Sequence, residues 1–324
     1  MITDKGFKLP DFIIIGAMKS GTTSIHHILD HHEDVFIPPR EVYFFDVDDI
    51  EQHGDFFIRT KGGWTFHDLD ENFEAYLDWY RRFFEEAGPS QIIGEDTTTY
   101  LGSRKAPGRI ARILPDAKLI AMLRDPVSRA YSHYWHNVSA GRATSNFDRT
   151  IRFQSGNYLA RGLYLEQLRR YKSFIERGRL KVVLFEDFLA DKQAVTDDLV
   201  EFLELEGKID VAQIDTRQNA SKAPLSLPLR LLGNRIYSAL STGHTTRNIP
   251  NMPGYDPRTV GKAGAGETSS SRFWEKMTGA LPAWKYPPMG DHTRDFLEKY
   301  FRRENEGLSE LIGQDVSRRW AYMA

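Results

Sequence analysis

Two short stretches of this chain carry residue types at spacings that suit anion chemistry. The first, Gly16-Ala17-Met18-Lys19-Ser20-Gly21-Thr22-Thr23-Ser24, has the glycine spacing of a nucleotide-phosphate loop. Its lysine is displaced. The triphosphatase pattern puts Lys directly after the second glycine, where this chain has Thr22, and Lys19 comes two residues before Gly21. The loop is therefore expected to cradle a 5′-phosphate without reaching toward a γ-phosphate. At a helix start, free amides and the hydroxyls of Ser20, Thr22, Thr23 and Ser24 would converge on an anion without needing a metal. A glycine turn capped by threonine is the plainer reading of the same residues.

The second stretch, Leu123-Arg124-Asp125-Pro126-Val127-Ser128-Arg129-Ala130-Tyr131-Ser132, follows an apolar run and contains a proline at a favoured helix-opening position. Arg124 would leave the carboxyl end of a strand, where ligands bind in open α/β sheets, and Ser132 would lie on the next helix. A planar, permanently charged guanidinium and a short hydroxyl suit a phosphate monoester. Alternatively, Arg124 pairs with Asp125 or caps the sheet.

These residues need a scaffold, and the hydrophobic pattern describes one. Phe12 to Gly16 reads as a strand buried on both faces, and Thr22 to His31 as the helix after it. Further strands are expected at Gln91 to Gly94, Lys118 to Leu123 and Lys181 to Phe185. Helical spacing marks Phe73 to Glu86, Lys105 to Leu114, Val127 to Val138, Leu159 to Arg177, Ala194 to Leu205 and Leu227 to Leu240. Two closing helices are read at Asp291 to Arg303 and Glu304 to Ile312. This alternation predicts an α/β fold: a P-loop-type parallel β-sheet flanked by helices. Residues 1–324 read as a single domain, with a long irregular insertion at 216–288 that reads as a lid or acceptor-binding segment, or equally as an unstructured excursion.

Bulk properties narrow the classes. The 324 residues carry 43 Lys and Arg against 45 Asp and Glu, a formal net charge of −2, so nothing global draws the chain to nucleic acid or to an anionic membrane. Any anion site must be local. There is no cysteine, which excludes disulfides and thiolate metal sites. The first apolar run is too short for a signal peptide, and no later run reaches the ~18 residues of a membrane span. A soluble chain in a reducing compartment is expected.

Together the two anion stretches resemble the 5′-phosphosulfate loop and 3′-phosphate motif of sulfotransferases that use 3′-phosphoadenosine 5′-phosphosulfate (PAPS). The likeness is closer to domains that modify heparan sulfate and to their bacterial relatives. It extends through Pro39-Arg40-Glu41-Val42-Tyr43-Phe44-Phe45, Gly94 to Leu101, Gly162-Leu163-Tyr164 and Lys285-Tyr286-Pro287. The resemblance implies PAPS as sulfuryl donor and no metal. Lys19 would then meet the bridging oxygen, with Ser20, Gly21, Thr22, Thr23 and Ser24 around the 5′-phosphate and Arg124 with Ser132 at the 3′-phosphate. Glu41 matches the family's catalytic base, a role that suits a carboxylate within reach of an acceptor hydroxyl; otherwise a loop Glu is simply solvated.

His136 matches a histidine near the reacting centre in the N-sulfotransferase branch, with His133 on the same helix. Trp274 resembles an aromatic near the nucleotide, and core packing explains it equally well. The Gly- and Lys-rich loop of heparan-type domains is replaced by Gly279 to Trp284 before Lys285, so Lys285, or Lys262, is the candidate for the closing contact. The missing disulfide and membrane anchor imply a cytoplasmic, bacterial enzyme. Its acceptor would be a carbohydrate, lipid or natural product carrying a hydroxyl or amine.

Two other readings compete. A P-loop kinase or triphosphatase would need magnesium and a Walker B carboxylate, for which Glu186 or Asp187 after Phe185 is the available choice. A non-catalytic module that binds the nucleotide or a sulfated glycan would not need Glu41. The aromatics Tyr76, Trp79, Tyr80 and Phe83 have helical spacing and are expected in the core.

Overall fold

The computed structural model describes residues 8–214, 226–240 and 286–324. At its centre is β1 (Phe12–Gly16), a β-branched run buried along its whole length. It pairs in parallel with β5 (Ile92–Asp96) on one side and β6 (Lys118–Leu123) on the other. A short β2 (Val35–Phe36) extends the β5 edge, and β7 (Leu180–Leu184) extends the β6 edge. The five parallel strands run in the order β2-β5-β1-β6-β7. A separate hairpin joins β3 (Ile58–Thr60) to β4 (Gly63–Thr65).

Strand alternation divides the core between the two sheet faces. Ile13 and Ile15 of β1, with Leu119, Ala121 and Leu123 of β6, pack against Phe44, Phe45, Tyr80 and Tyr100. The intervening Phe12, Ile14, Ile120 and Met122 face α1 (Thr22–Asp30) and α10 (Lys192–Leu203) through Ile25, Ile28, Leu29 and Leu199. Gly94 lets this packing close: a β-carbon there would lie 2.3 Å from the Phe12 ring.

The remaining helices are α2 (Phe73–Arg81), α3 (Ala106–Ile113), α4 (Pro126–Ser139), α5 (Phe147–Phe153), α6 (Ser155–Tyr158), α7 (Tyr164–Arg169), α8 (Lys172–Glu176), α9 (Phe185–Ala190), α11 (Leu227–Leu240), α12 (Asp291–Glu304) and α13 (Leu308–Ile312). A third apolar cluster joins α4 to α12 through Val127, Ala130, Trp135, Leu297 and Phe301.

Several boundaries differ from the sequence reading. The long helix expected over Leu159 to Arg177 is a 3-10 turn at Ala160–Gly162 followed by α7 and α8. A side chain at Gly162 would strike Phe301 at 2.8 Å, so the bend lets α12 approach. Phe185, expected to end a strand, opens α9. The helix read from Phe73 to Glu86 stops at Arg81 and continues as a 3-10 turn. The last helix starts at Leu308 rather than Glu304, because Gly307 takes a left-handed conformation. Most of the 216–288 insertion lies outside the described residues; α11 is present where helical spacing indicated.

Candidate active site

The segments leaving the carboxyl ends of β1 and β6 carry Lys19 to Ser24 and Arg124, while Ser132 and His136 lie on α4. After β1 the chain turns through Gly16, whose φ of 135° favours glycine and whose missing side chain leaves room for the Thr98 carbonyl. Lys19 sits in the turn with φ of 68°. Gly21, also left-handed, is the N-cap of α1 and provides no side-chain cap. The α1 amides therefore start from an uncapped N-terminus, with Ser20 and Thr22 buried around it and Thr23 exposed. By contrast, the α4 N-terminus is closed by its own Asp125, which accepts from the amides of Val127 and Ser128.

That use of Asp125 rules out the simplest alternative for Arg124. The Asp125 carboxylate caps α4 and accepts from the Tyr322 hydroxyl at 2.8 Å. Arg124 instead follows β6 directly, lies 4.9 Å over the Phe185 ring and donates to the Lys19 carbonyl at 3.3 Å. Its guanidinium is thus tied to the turn after β1. Ser132 is buried on the same helix that Asp125 caps.

Glu41 reaches the site through the segment after β5. Thr97 N and Leu101 N donate to the Ile14 and Ile15 carbonyls, which binds this segment to β1. The Thr97 hydroxyl accepts from the amides of Val42 and Tyr43, and the Thr98 amide and hydroxyl donate to Glu41 Oε1 at 2.8 and 2.5 Å. The Tyr43 hydroxyl donates to Glu41 Oε2 at 2.5 Å. Thr98 therefore touches the turn with its carbonyl and holds Glu41 with its other polar atoms. The proximity has an electrostatic signature. Burial lowers the Lys19 pKa and Arg124 lowers it further, while the Glu41 carboxylate opposes both.

The two histidines of α4 also face this centre. His136 is pushed down to about 4 by burial, with Lys19 and Arg142 adding to the shift. His133 is held well below its usual range by burial and by the charges of Arg129, Arg161, His136 and Lys19. Burial leaves both neutral at neutral pH, so neither supplies positive charge there. Trp274, Lys285 and Lys262 lie outside the described residues.

Sequence reasoning did not single out Thr98, Tyr43, Arg161 or the pair His26 and Asp96. Arg161 lines a small cavity with Met18, Thr98 and Gln167. His26 Nδ1 lies 3.2 Å from Asp96 Oδ2. Thr98 and Tyr43 stood inside stretches already noted, but their usefulness depends on a loop-to-loop bond that no spacing rule encodes. Glu186 and Asp187, the Walker B candidates, have other partners: Glu186 accepts from Asp125 N and Trp320 Nε1, and Asp187 pairs with Arg318 and Arg319. Tyr76 and Tyr80 are buried in the core, as their spacing indicated, while Trp79 and Phe83 are partly buried against it.

The fold and this arrangement bring a glycine turn, at a helix N-terminus without a side-chain cap, beside a carboxylate. The sulfotransferase family profile matches residues 10–209, and the chain belongs to the sulfotransferase family. It is 24% identical to bifunctional heparan sulfate N-deacetylase/N-sulfotransferase 4 of Mus musculus over 325 residues, covering 94% of this chain and 30% of that protein. It is 29% identical to heparan sulfate glucosamine 3-O-sulfotransferase 3A1 of Mus musculus over 214 residues, covering 63% of this chain and 48% of that protein. The chain thus spans less than half the length of either relative. A solved sulfotransferase from Alicyclobacillus acidocaldarius shares the fold, with a TM-score of 0.62, 24% identity and coverage of 97% and 99% of the two chains. Among the described residues, no helix is long and apolar enough to cross a membrane.

Proposed function

We propose that this sulfotransferase moves a sulfuryl group from PAPS to a hydroxyl or amine of a carbohydrate acceptor, with Glu41 as base. The observation that carries the reading is Thr98, whose carbonyl closes on Gly16 while its amide and hydroxyl donate to Glu41. The acceptor oxygen or nitrogen attacks sulfur and forms the new bond. The bond from sulfur to the bridging oxygen breaks, and its electron pair stays on the 5′-phosphate of the departing adenosine 3′,5′-bisphosphate. The acceptor proton passes to Glu41.

Lys19 offsets the charge growing on the leaving oxygen, and the α1 amides hold the phosphate beside it. Arg124 and Ser132 take the 3′-phosphate, and neutral His136 borders the transferring group as a hydrogen-bond partner. Such catalysis is mostly positioning plus electrostatics. A carbohydrate acceptor is supported by the heparan sulfate enzymes among the relatives.

The test incubates the protein with radiolabelled PAPS and a panel containing desulfated heparan sulfate, simple amino sugars and lipid extracts. Label is expected in a saccharide product. Lys19→Ala should lower turnover by about a hundredfold to a thousandfold, the loss typical of removing one preorganised charge donor. No labelled product with any acceptor, or a Lys19→Ala variant at wild-type rate, would contradict the proposal.

A further inference from the structure

Glu41 offers a base two oxygens, and the structure treats them differently. Oε1 accepts two hydrogen bonds from Thr98, which fills its ordinary accepting capacity. Among the described residues, Oε2 accepts one, from the Tyr43 hydroxyl, and so retains room for an acceptor proton. Tyr43 has a second unusual feature. It adopts φ of 61°, a left-handed conformation that costs a non-glycine residue free energy and persists only where surroundings enforce it. Here the Thr97 hydroxyl holds its amide, and its ring packs edge-on to His53 and Phe56 at 5.0 and 5.8 Å. A strained backbone thus delivers one hydroxyl to one carboxylate oxygen.

We infer that Tyr43 is a positioning residue for sulfuryl transfer: its hydroxyl orients Glu41 so that the free lone pair of Oε2 receives the acceptor proton, and it stabilises the ionised carboxylate before transfer. This role rests on the reading of Glu41 as base. Burial and the facing Glu41 charge push the Tyr43 phenol far above its usual range, so it stays a donor throughout the working pH range. Other groups also face the pair. Lys19, Arg161, His26 and Asp96 lie within electrostatic reach of Glu41. Asp46, Asp55 and His53 surround Tyr43. Tyr43→Phe leaves every one of these in place and removes only the hydroxyl.

The experiment follows PAPS hydrolysis, with water as acceptor, across pH for wild type, Tyr43→Phe, Glu41→Gln and the double variant. Tyr43→Phe should bind adenosine 3′,5′-bisphosphate normally, lose about tenfold in kcat, and show the acidic limb of kcat/KM moved up by about one pH unit, the loss of one hydrogen bond to a charged group. Adding Tyr43→Phe to Glu41→Gln should cost nothing more, because both act through one carboxylate. A fluorotyrosine at position 43 keeps the shape and donates more strongly, so it should move the limb the other way even if Tyr43→Phe folds poorly. An active wild type whose limb moves in neither variant, or additive losses in the double variant, would remove Tyr43 alone. A wild type with no PAPS turnover would remove the reading of the site and this role with it.

Discussion

Glu41 and Glu95 show how neighbours give two carboxylates in nearby segments different tasks. Glu41 is half-buried and lies within electrostatic reach of Lys19 in the turn after β1. Glu95 is fully buried and accepts from the hydroxyls of Tyr80, Tyr100 and Thr97. Burial raises its pKa to about 7 against the opposing effect of those three donors. In the unfolded chain it ionises at its ordinary value of 4.5. Between these values the folded state holds the proton that the unfolded state has lost, so stability falls as pH rises through that window. Glu95→Gln should flatten this part of the stability-pH curve, a change on the order of 3 kcal/mol across the window, as followed by urea unfolding. An unchanged slope would count against a protonated Glu95. The same residue anchors Thr97, which holds the Glu41 segment, so it supports the site from behind.

Lys19, Ser20, Thr22, Thr23 and Ser24 stood out as anion candidates because they fall on one contiguous loop, and Arg124 because it directly follows an apolar run read as a strand. Glu41 was legible only through family resemblance; without it, a loop Glu has no distinguishing pattern. Thr98 and Tyr43 were not legible as its holders. Their contacts span 57 residues in one case and, in the other, depend on a left-handed backbone at a tyrosine.

At the level of elements, the buried strands and their following helices were readable because apolar runs and helical spacing are local signals. The two-residue β2 and the β3–β4 hairpin were missed, being too short to show a period. The break near Gly162 was missed because it answers to Phe301, far along the chain. A comparable long-range demand at Gly94 gives a direct stability test. Gly94→Ala must displace the Phe12 ring at the centre of the sheet and should destabilise the protein by about 1–3 kcal/mol. Chemical denaturation measures this, and Gly94→Ala with Phe12→Leu should recover part of the loss. An unperturbed single variant would show that the β1–β5 approach is looser than described.

For the whole molecule, the strand order brings the candidate residues to one end of the sheet. β1 is central, and the chain leaves it toward β2 on one side and, after β5, crosses to β6 on the other. The turn after β1, the Thr97–Thr98 segment after β5 and Arg124 after β6 therefore meet at the carboxyl ends of the strands, where open parallel sheets bind ligands. Chains of this kind need little global charge to bind an anion, which fits a net charge of −2. Two roles are proposed: the turn after β1 holds the nucleotide, and Glu41 performs a separate step. Calorimetry with adenosine 3′,5′-bisphosphate, paired with a PAPS transfer assay on wild type and Glu41→Gln, separates the two directly. The expected result is equal binding by both proteins and at least a hundredfold slower transfer by the variant; no binding by wild type, or undiminished transfer by Glu41→Gln, would contradict it.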